Sequence, residues 1–279
     1  NGDGRWAPSF RAGQLGFYAQ DDWKVSNVLR LTYGLRVDMP FFLDRPTANP
    51  SFNNSAFAKE HGVTNDYLPP LRPLFSPRVG FRYDVYGDSR YVLRGGTGIF
   101  TGRVPFVWIS NSFTNSGLEY LRTERLNQDA RDHVRLTSDL ASPKAKANIV
   151  PGSTEIDMVG SNFTYPQVWR TSLAFDARLP WGVRATLEGM YSKTLNNVRY
   201  QDLGLKKATE KVYASGEVRP VYKRQDADKF SNLILLSNSN LGYTYNLTAT
   251  LAKDFGHGLD ASIAYTFGEA KVGNAGRSS

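Results

Sequence analysis

The stretch LGFYAQDDWKVSNVLRLTYGLRVDM, residues 15–39, decides the fold. Its side chains alternate. Leu15, Phe17, Ala19, Trp23 and Val25 fall on one side, and Gln14, Tyr18, Gln20, Asp22 and Lys24 on the other. After Ser26-Asn27 the pattern resumes, with Leu29, Leu31, Tyr33, Leu35, Val37 and Met39 set against Arg30, Thr32, Arg36 and Asp38. A period of two is that of a strand. Each run holds roughly 11 or 12 residues, where soluble sheets average ~5–6 and ~9–11 tilted residues cross a bilayer. One apolar and one charged face over that length is the pattern of a transmembrane barrel, greasy outside and polar within. Asp21 is a misfit on the apolar side, and a bulge or an interfacial position is expected there.

The alternation returns over Arg78–Val85, Tyr91–Ile99, Trp169–Leu179, Val183–Ser192, Tyr243–Leu251 and Leu259–Phe267. That predicts about eight strands in four hairpins. Residues paired across an antiparallel ladder share a face, so the hairpin loops must be odd in length. Three-residue loops are expected at Ser26–Val28, Pro180–Gly182 and Asp254–Gly256, and a five-residue loop at Tyr86–Arg90, with Gly87, Gly182 and Gly256 supplying left-handed positions. The other connections, Pro40–Pro77, Thr101–Tyr165 and Lys193–Leu241, are long. Short turns at one end and long loops at the other predict an outer-membrane barrel with extracellular long loops. Trp23, Tyr83, Tyr86, Tyr91, Trp181 and Phe255 gather at the short-turn end, as an interfacial girdle does; core packing of a sandwich is the competing account.

The chain has 279 residues, no cysteine and a net charge of +8. The longest aliphatic run, Leu233–Leu236, is far short of the ~20 residues of a membrane helix. Without cysteine there is no disulfide and no thiolate metal site. A basic chain raises the question of nucleic acid. Yet Arg30, Arg36, Arg78, Arg82, Arg94, Arg170, Arg178 and Arg184 occupy alternating strand positions, which would aim them into a lumen. They are then either neutralised by acidic neighbours and a plug, or left to make an anion-attracting interior. No nucleic-acid partner is expected.

His61, His133 and His257 are isolated, with no metal spacing among them. Arg94-Gly95-Gly96-Thr97-Gly98 lacks the Gly-Lys-Ser/Thr ending of a phosphate loop, so close approach of a neighbouring strand or plug explains its glycines better. Leu118 to Leu136 reads as a short charged helix carrying Asp129 and Asp132. Phe106, Trp108, Phe113 and Tyr120 give the second long loop an aromatic character, which serves ligand contact or mutual packing equally well. No catalytic constellation, metal site or cofactor motif emerges, and an enzyme is not expected.

Phe17-Tyr18-Ala19-Gln20-Asp21-Asp22-Trp23-Lys24, with Leu31-Thr32-Tyr33-Gly34-Leu35-Arg36, resembles a barrel hairpin of TonB-dependent outer-membrane transporters. Phe75-Ser76-Pro77-Arg78-Val79-Gly80-Phe81 resembles their next strand. The run Leu93 to Asn111, Pro166-Gln167-Val168-Trp169-Arg170 and Ala264-Tyr265-Thr266-Phe267-Gly268-Glu269-Ala270 are similar to the Oar-like branch, whose members carry a carboxypeptidase-regulatory-like domain. The resemblance implies about eight strands of a 22-stranded barrel around a plug, with import driven through TonB. It also implies outer-membrane lipid, the protein's own plug and the TonB system as partners, and further membrane-complex partners are possible.

The chain opens Asn1-Gly2-Asp3 and closes in a Gly/Ser-rich tail, so residues 1–279 are expected to be the middle of one longer barrel domain, with plug and terminal strands elsewhere. The leading expectation is thus a wall segment of an energy-coupled importer. A passive or structural barrel closed at eight strands and a surface-interaction protein acting through its loops are the alternatives.

Overall fold

The structure is a computed structural model, and it describes residues 8–118, 154–212, 215–224 and 230–273. Its strands are β1 (Ala12–Lys24), β2 (Leu29–Phe42), β3 (Leu74–Asp84), β4 (Tyr91–Thr101), β5 (Thr154–Val159), β6 (Gln167–Arg178), β7 (Val183–Asp202), β8 (Leu205–Val212), β9 (Val218–Arg224), β10 (Phe230–Ser239), β11 (Gly242–Asp254) and β12 (Asp260–Val272). The helices α1 (Pro50–Asn53), α2 (Ala56–His61) and α3 (Phe106–Thr114) lie in the long connections.

Eight strands, in the order β1-β2-β3-β4-β6-β7-β11-β12, form one antiparallel wall. Like parity faces like parity across it: Asp22 opposes Thr32, then Gly80, Gly96, Ser172, Met190, Asn246 and Gly268 follow in the same row. Even-numbered side chains therefore share one polar face. The odd face bears large apolar groups open to the surroundings, with Phe17 at 62%, Leu173 at 52% and Ile263 at 71% exposure. The predicted hairpins are present. Asp21 needs no bulge: it sits in unbroken register opposite Tyr33, whose hydroxyl donates to it at 2.7 Å.

Three turns fall where odd spacing placed them. The Leu179 N–H closes the Pro180–Gly182 turn on the Val183 carbonyl at 2.8 Å, and the Val85 N–H closes the five-residue turn on Tyr91 at 2.9 Å. The fourth is displaced. Asp254 pairs with Asp260, and the Phe255 N–H donates to Leu259 at 2.9 Å, so the turn is Gly256–Gly258 rather than Asp254–Gly256. Three successive left-handed residues, Gly256, His257 and Gly258, make the reversal there.

The long connections hold more order than the alternation showed. β7 runs for 20 residues, past its expected end, and its far part pairs with β10. β10 in turn pairs parallel with β5. Leu233–Leu236, an unbroken apolar run, lies in β10; strands covered on both faces lose their alternation and escape a period-two search. β8 and β9 form a separate two-stranded ribbon. We call this assembly at the long-loop end the crown.

The crown holds the two buried clusters of the described residues. Phe52, Phe57, Ile156, Met158 and Leu233 fill one; Leu68, Val104, Ile109, Phe163 and Leu236 contribute to the other. Two buried amides tie its loops together. Asn49 caps α1 by accepting from the Phe52 N–H at 3.1 Å and donates through Nδ2 to Ser116 at 2.9 Å. Asn65, fully buried, accepts from the Asn49 N–H and donates to the Thr47 carbonyl, both at 2.8 Å. Truncation strands the N–H of buried Asn49 away from water and takes a partner from the carbonyl of exposed Thr47. Asn65→Ala is therefore expected to lower crown stability by about 1–3 kcal/mol, read as faster amide exchange across 49–66 with the wall amides unchanged.

Candidate functional site

The wall's even face carries the arginines that the sequence singled out. All eight lie on this one face. Lys24, Arg30, Arg82 and Arg94 stand directly opposite one another in a single row. Opposed like charges repel, and nearby carboxylates offset much of it. Arg30 pairs with Asp22 at 2.6 Å, and Arg94 pairs with Asp176 at 2.8 Å and Glu188 at 3.3 Å. Thr186 holds the Asp176 carboxylate from the other side at 2.8 Å. Arg36 grips the buried Asp38 through two nitrogens at 2.8 Å, and Gln14 also donates to Asp38. Arg178 and Arg184 oppose each other beside a short turn.

Arg78 and Arg170 differ. They share a row, with Gly98 of β4 between them. Phe100 stands one step along the same face, and the Arg78 guanidinium carbon lies 4.5 Å from its ring centroid, that of Arg170 5.9 Å. A depression of about 270 Å³ opens here, floored by Gly34, Gly80 and Gly96. The glycine run of β4 is a strand, not a phosphate loop. A Cβ at Gly96 would meet the Val79 carbonyl at 2.9 Å and one at Gly95 the Ser172 carbonyl at 2.7 Å, so neighbouring backbones approach too closely for a side chain.

The aromatic loop candidates divide. Phe113 stacks on Phe10 at 4.7 Å and Trp108 meets Tyr200 edge-on at 5.3 Å, so both serve crown packing. Phe106 touches Phe10 and stays 54% exposed. Tyr120, and with it Asp129, Asp132 and nearly all of the charged segment predicted as a helix, lies outside the described residues. His61 caps its helix against the Phe57 carbonyl at 3.0 Å and stacks on that ring. Among the described residues no three metal-binding side chains converge.

Two features escaped the sequence. One is a second aromatic set on the odd face. Trp169 meets Tyr191 at 5.9 Å, and Tyr243 stacks along Tyr245 at 6.3 Å, toward the crown end of the wall. Their common parity was legible; their alignment required the register. From the Tyr91–Ala177–Ala185 row to the Trp169–Lys193 row is roughly 26 Å along a strand, or about 20 Å of depth at a ~40° tilt. Two aromatic belts thus bracket an apolar band of near-bilayer height.

The other is a buried acid–amide cluster in the crown. The Asn115 side-chain amide donates to Asp157 Oδ2 at 2.9 Å and to Glu155 Oε1 at 3.1 Å, while Asn232 donates to Glu155 Oε2 at 2.6 Å. Asp157 Oδ1 and the Tyr200 hydroxyl are buried with no hydrogen-bond partner among the described residues. Burial pushes the Asp157 carboxyl up to about 7, against the Asn115 hydrogen bond, and the nearby Glu155 and Asp202 add to the rise. Asp202 itself pairs with Arg224 at 3.0 Å. Burial likewise raises the Tyr200 phenol. A folded-state carboxyl that holds its proton more tightly than the unfolded one stabilises the fold at low pH and loses that contribution as pH rises from about 4 to about 7. The opening free energy of crown amides 154–159 and 230–236 is thus expected to fall by about 4 kcal/mol at most between pH 4 and 8. Asp157→Asn should flatten that dependence in hydrogen exchange.

The profile of the outer membrane beta barrel domain matches residues 2–277. Among solved structures, the siderophore receptor PirA from Pseudomonas aeruginosa superposes over 93% of this chain and 34% of its own, at 12% identity and a TM-score of 0.50. The FrpB iron transporter from Neisseria meningitidis covers 94% of this chain and 27% of its own, at 10% identity and a TM-score of 0.45. The chain thus spans about a third or less of the length of these two structures. No curated protein matches it. An all-β wall with an apolar band, together with a domain profile spanning nearly every residue, places the chain in the outer membrane beta-barrel domain family, a protein of the cell outer membrane.

Proposed function

We infer that this chain is a wall segment of a TonB-dependent outer-membrane receptor that imports a scarce or bulky solute. The observation that carries the reading is the wall itself: eight membrane-length strands with a charged face, while β1 and β12 each pair with one neighbour only among the described residues. An eight-stranded closed barrel would join those two strands and fill its lumen with side chains. Here the polar face instead holds glycine-floored depressions, which suits a wider barrel enclosing a separate plug. The even face then lines the lumen, the odd face meets lipid, and the crown stands outside the cell. The fold of a siderophore receptor and the resemblance of the strand motifs support the same reading.

Two measurements test it. Residues 1–279 hold no cysteine, so a cysteine introduced here is the one thiol of this segment, and the unsubstituted intact protein serves as the labelling blank. In the intact protein in membranes, Ser172→Cys and Thr248→Cys are expected to react with a small charged thiol reagent, and Leu173→Cys and Leu247→Cys to resist it. Intact protein is also expected to capture the periplasmic domain of TonB and to conduct ions in planar bilayers only after urea unfolds the plug. Constitutive conductance without TonB capture would leave a passive barrel.

A further inference from the structure

We propose that Arg78 and Arg170, straddling Gly98 beside Phe100, form a binding site for a carboxylate or phosphate group on the lumenal wall. The inference rests on the lumenal assignment made above.

Charge comes first. Arg30, Arg36 and Arg94 each hold a carboxylate within 3.3 Å on this face. Arg78, Arg82, Arg170, Arg178 and Arg184 hold none among the described residues, and of these only Arg78 and Arg170 flank a glycine of the strand between them; Arg170 donates through Nε to the neutral Ser192 hydroxyl at 3.0 Å. Two adjacent guanidinium groups that no carboxylate grips directly, with Asp38 acting on Arg78 only through space, attract an anion.

Spacing comes second. Arg78 opposes Gly98, and Gly98 opposes Arg170, so the two arginines sit two strands apart, with Cα atoms about 10 Å from each other. Side chains of that length can converge on one oxyanion over the glycine, each presenting two N–H groups. A Cβ at Gly98 would meet Arg78 Cγ at 2.9 Å, so only glycine leaves the Arg78 stem where it is.

Room comes third. Gly34, Gly80 and Gly96 remove side chains from three neighbouring strands, and the depression they floor admits the group that bears the charge. Phe100 offers that group an apolar side and braces both guanidiniums by cation–π contact. The same oxyanion chemistry has two possible sources: an acidic side chain of the plug, or a free anionic solute.

The test uses the intact protein, purified in detergent, with citrate and inorganic phosphate as probes. The variants are Arg78→Gln/Arg170→Gln, with Arg30→Gln as a same-face control. Gly80→Leu is added because it keeps both charges while filling the floor; its Cβ meets nothing nearer than the Gly95 carbonyl at 3.5 Å. If a solute is the source, wild type binds a probe in calorimetry, the double variant loses about tenfold or more, Gly80→Leu loses several-fold, and the control is unchanged. If a plug carboxylate is the source, wild type ignores the probes, and the double variant and Gly80→Leu raise bilayer conductance at a urea concentration where the control stays closed. No probe binding together with unaltered conductance overturns the site. TonB capture is read in parallel, so loss of the site with capture intact leaves the transport reading standing, and the converse is equally visible.

Discussion

The structure depends on one constraint: across the ladders of the wall an odd residue faces an odd residue, up to the bulge at the crown end of β6 where Gln167 meets Asn196. Backbone pleating makes side chains alternate, and antiparallel pairing hands that alternation from strand to strand. Seven successive pairings keep it, from Asp22 through to Gly268. A single-residue slip in any turn would send the arginines beyond that turn to the apolar face and the leucines to the charged one. Odd turn lengths, and the left-handed positions that close them, are therefore conditions of membrane insertion as much as of local geometry.

A second division follows. Burial within the wall is scant, because it is a single layer with one apolar face and one charged face. The packed apolar clusters belong to the crown, where helices, a parallel strand pair and buried amides make something close to a small soluble domain. The two parts draw on different physics. The wall is held by ladder hydrogen bonds that a bilayer makes obligatory. The crown is held by side-chain burial and by amide side chains that satisfy irregular backbone.

What the sequence disclosed follows the same line. Wherever one face met lipid and the other met water, alternation was clean, and β1, β2, β3, β4, β6, β7, β11 and β12 were legible down to three of the four turns. Where both faces were covered, alternation vanished, and β5 and β10 read as loop; β7 was cut short although Val198 and Tyr200 still alternate there with the exposed Arg199 and Gln201. Gly256, His257 and Gly258 offered two glycines for one turn, and composition alone did not choose between them. Among candidate site residues the arginine parity was fully readable. That Arg94 pairs directly with two carboxylates and Arg78 with none among the described residues was not, since it depends on which strands became neighbours. The Asp157 cluster left no periodic trace, because its members come from β5, β10 and the segment after α3.

β7 divides one edge between two partners. Residues 183–193 ladder with β11, and residues 197–202 ladder with β10. The seam is thus a fork with a single covalent stem. Any tilt of the β5–β10 pair transmits torque along β7 into the stave below it, and the few residues between the tines must absorb the difference. Crown and wall are mechanically joined at this point.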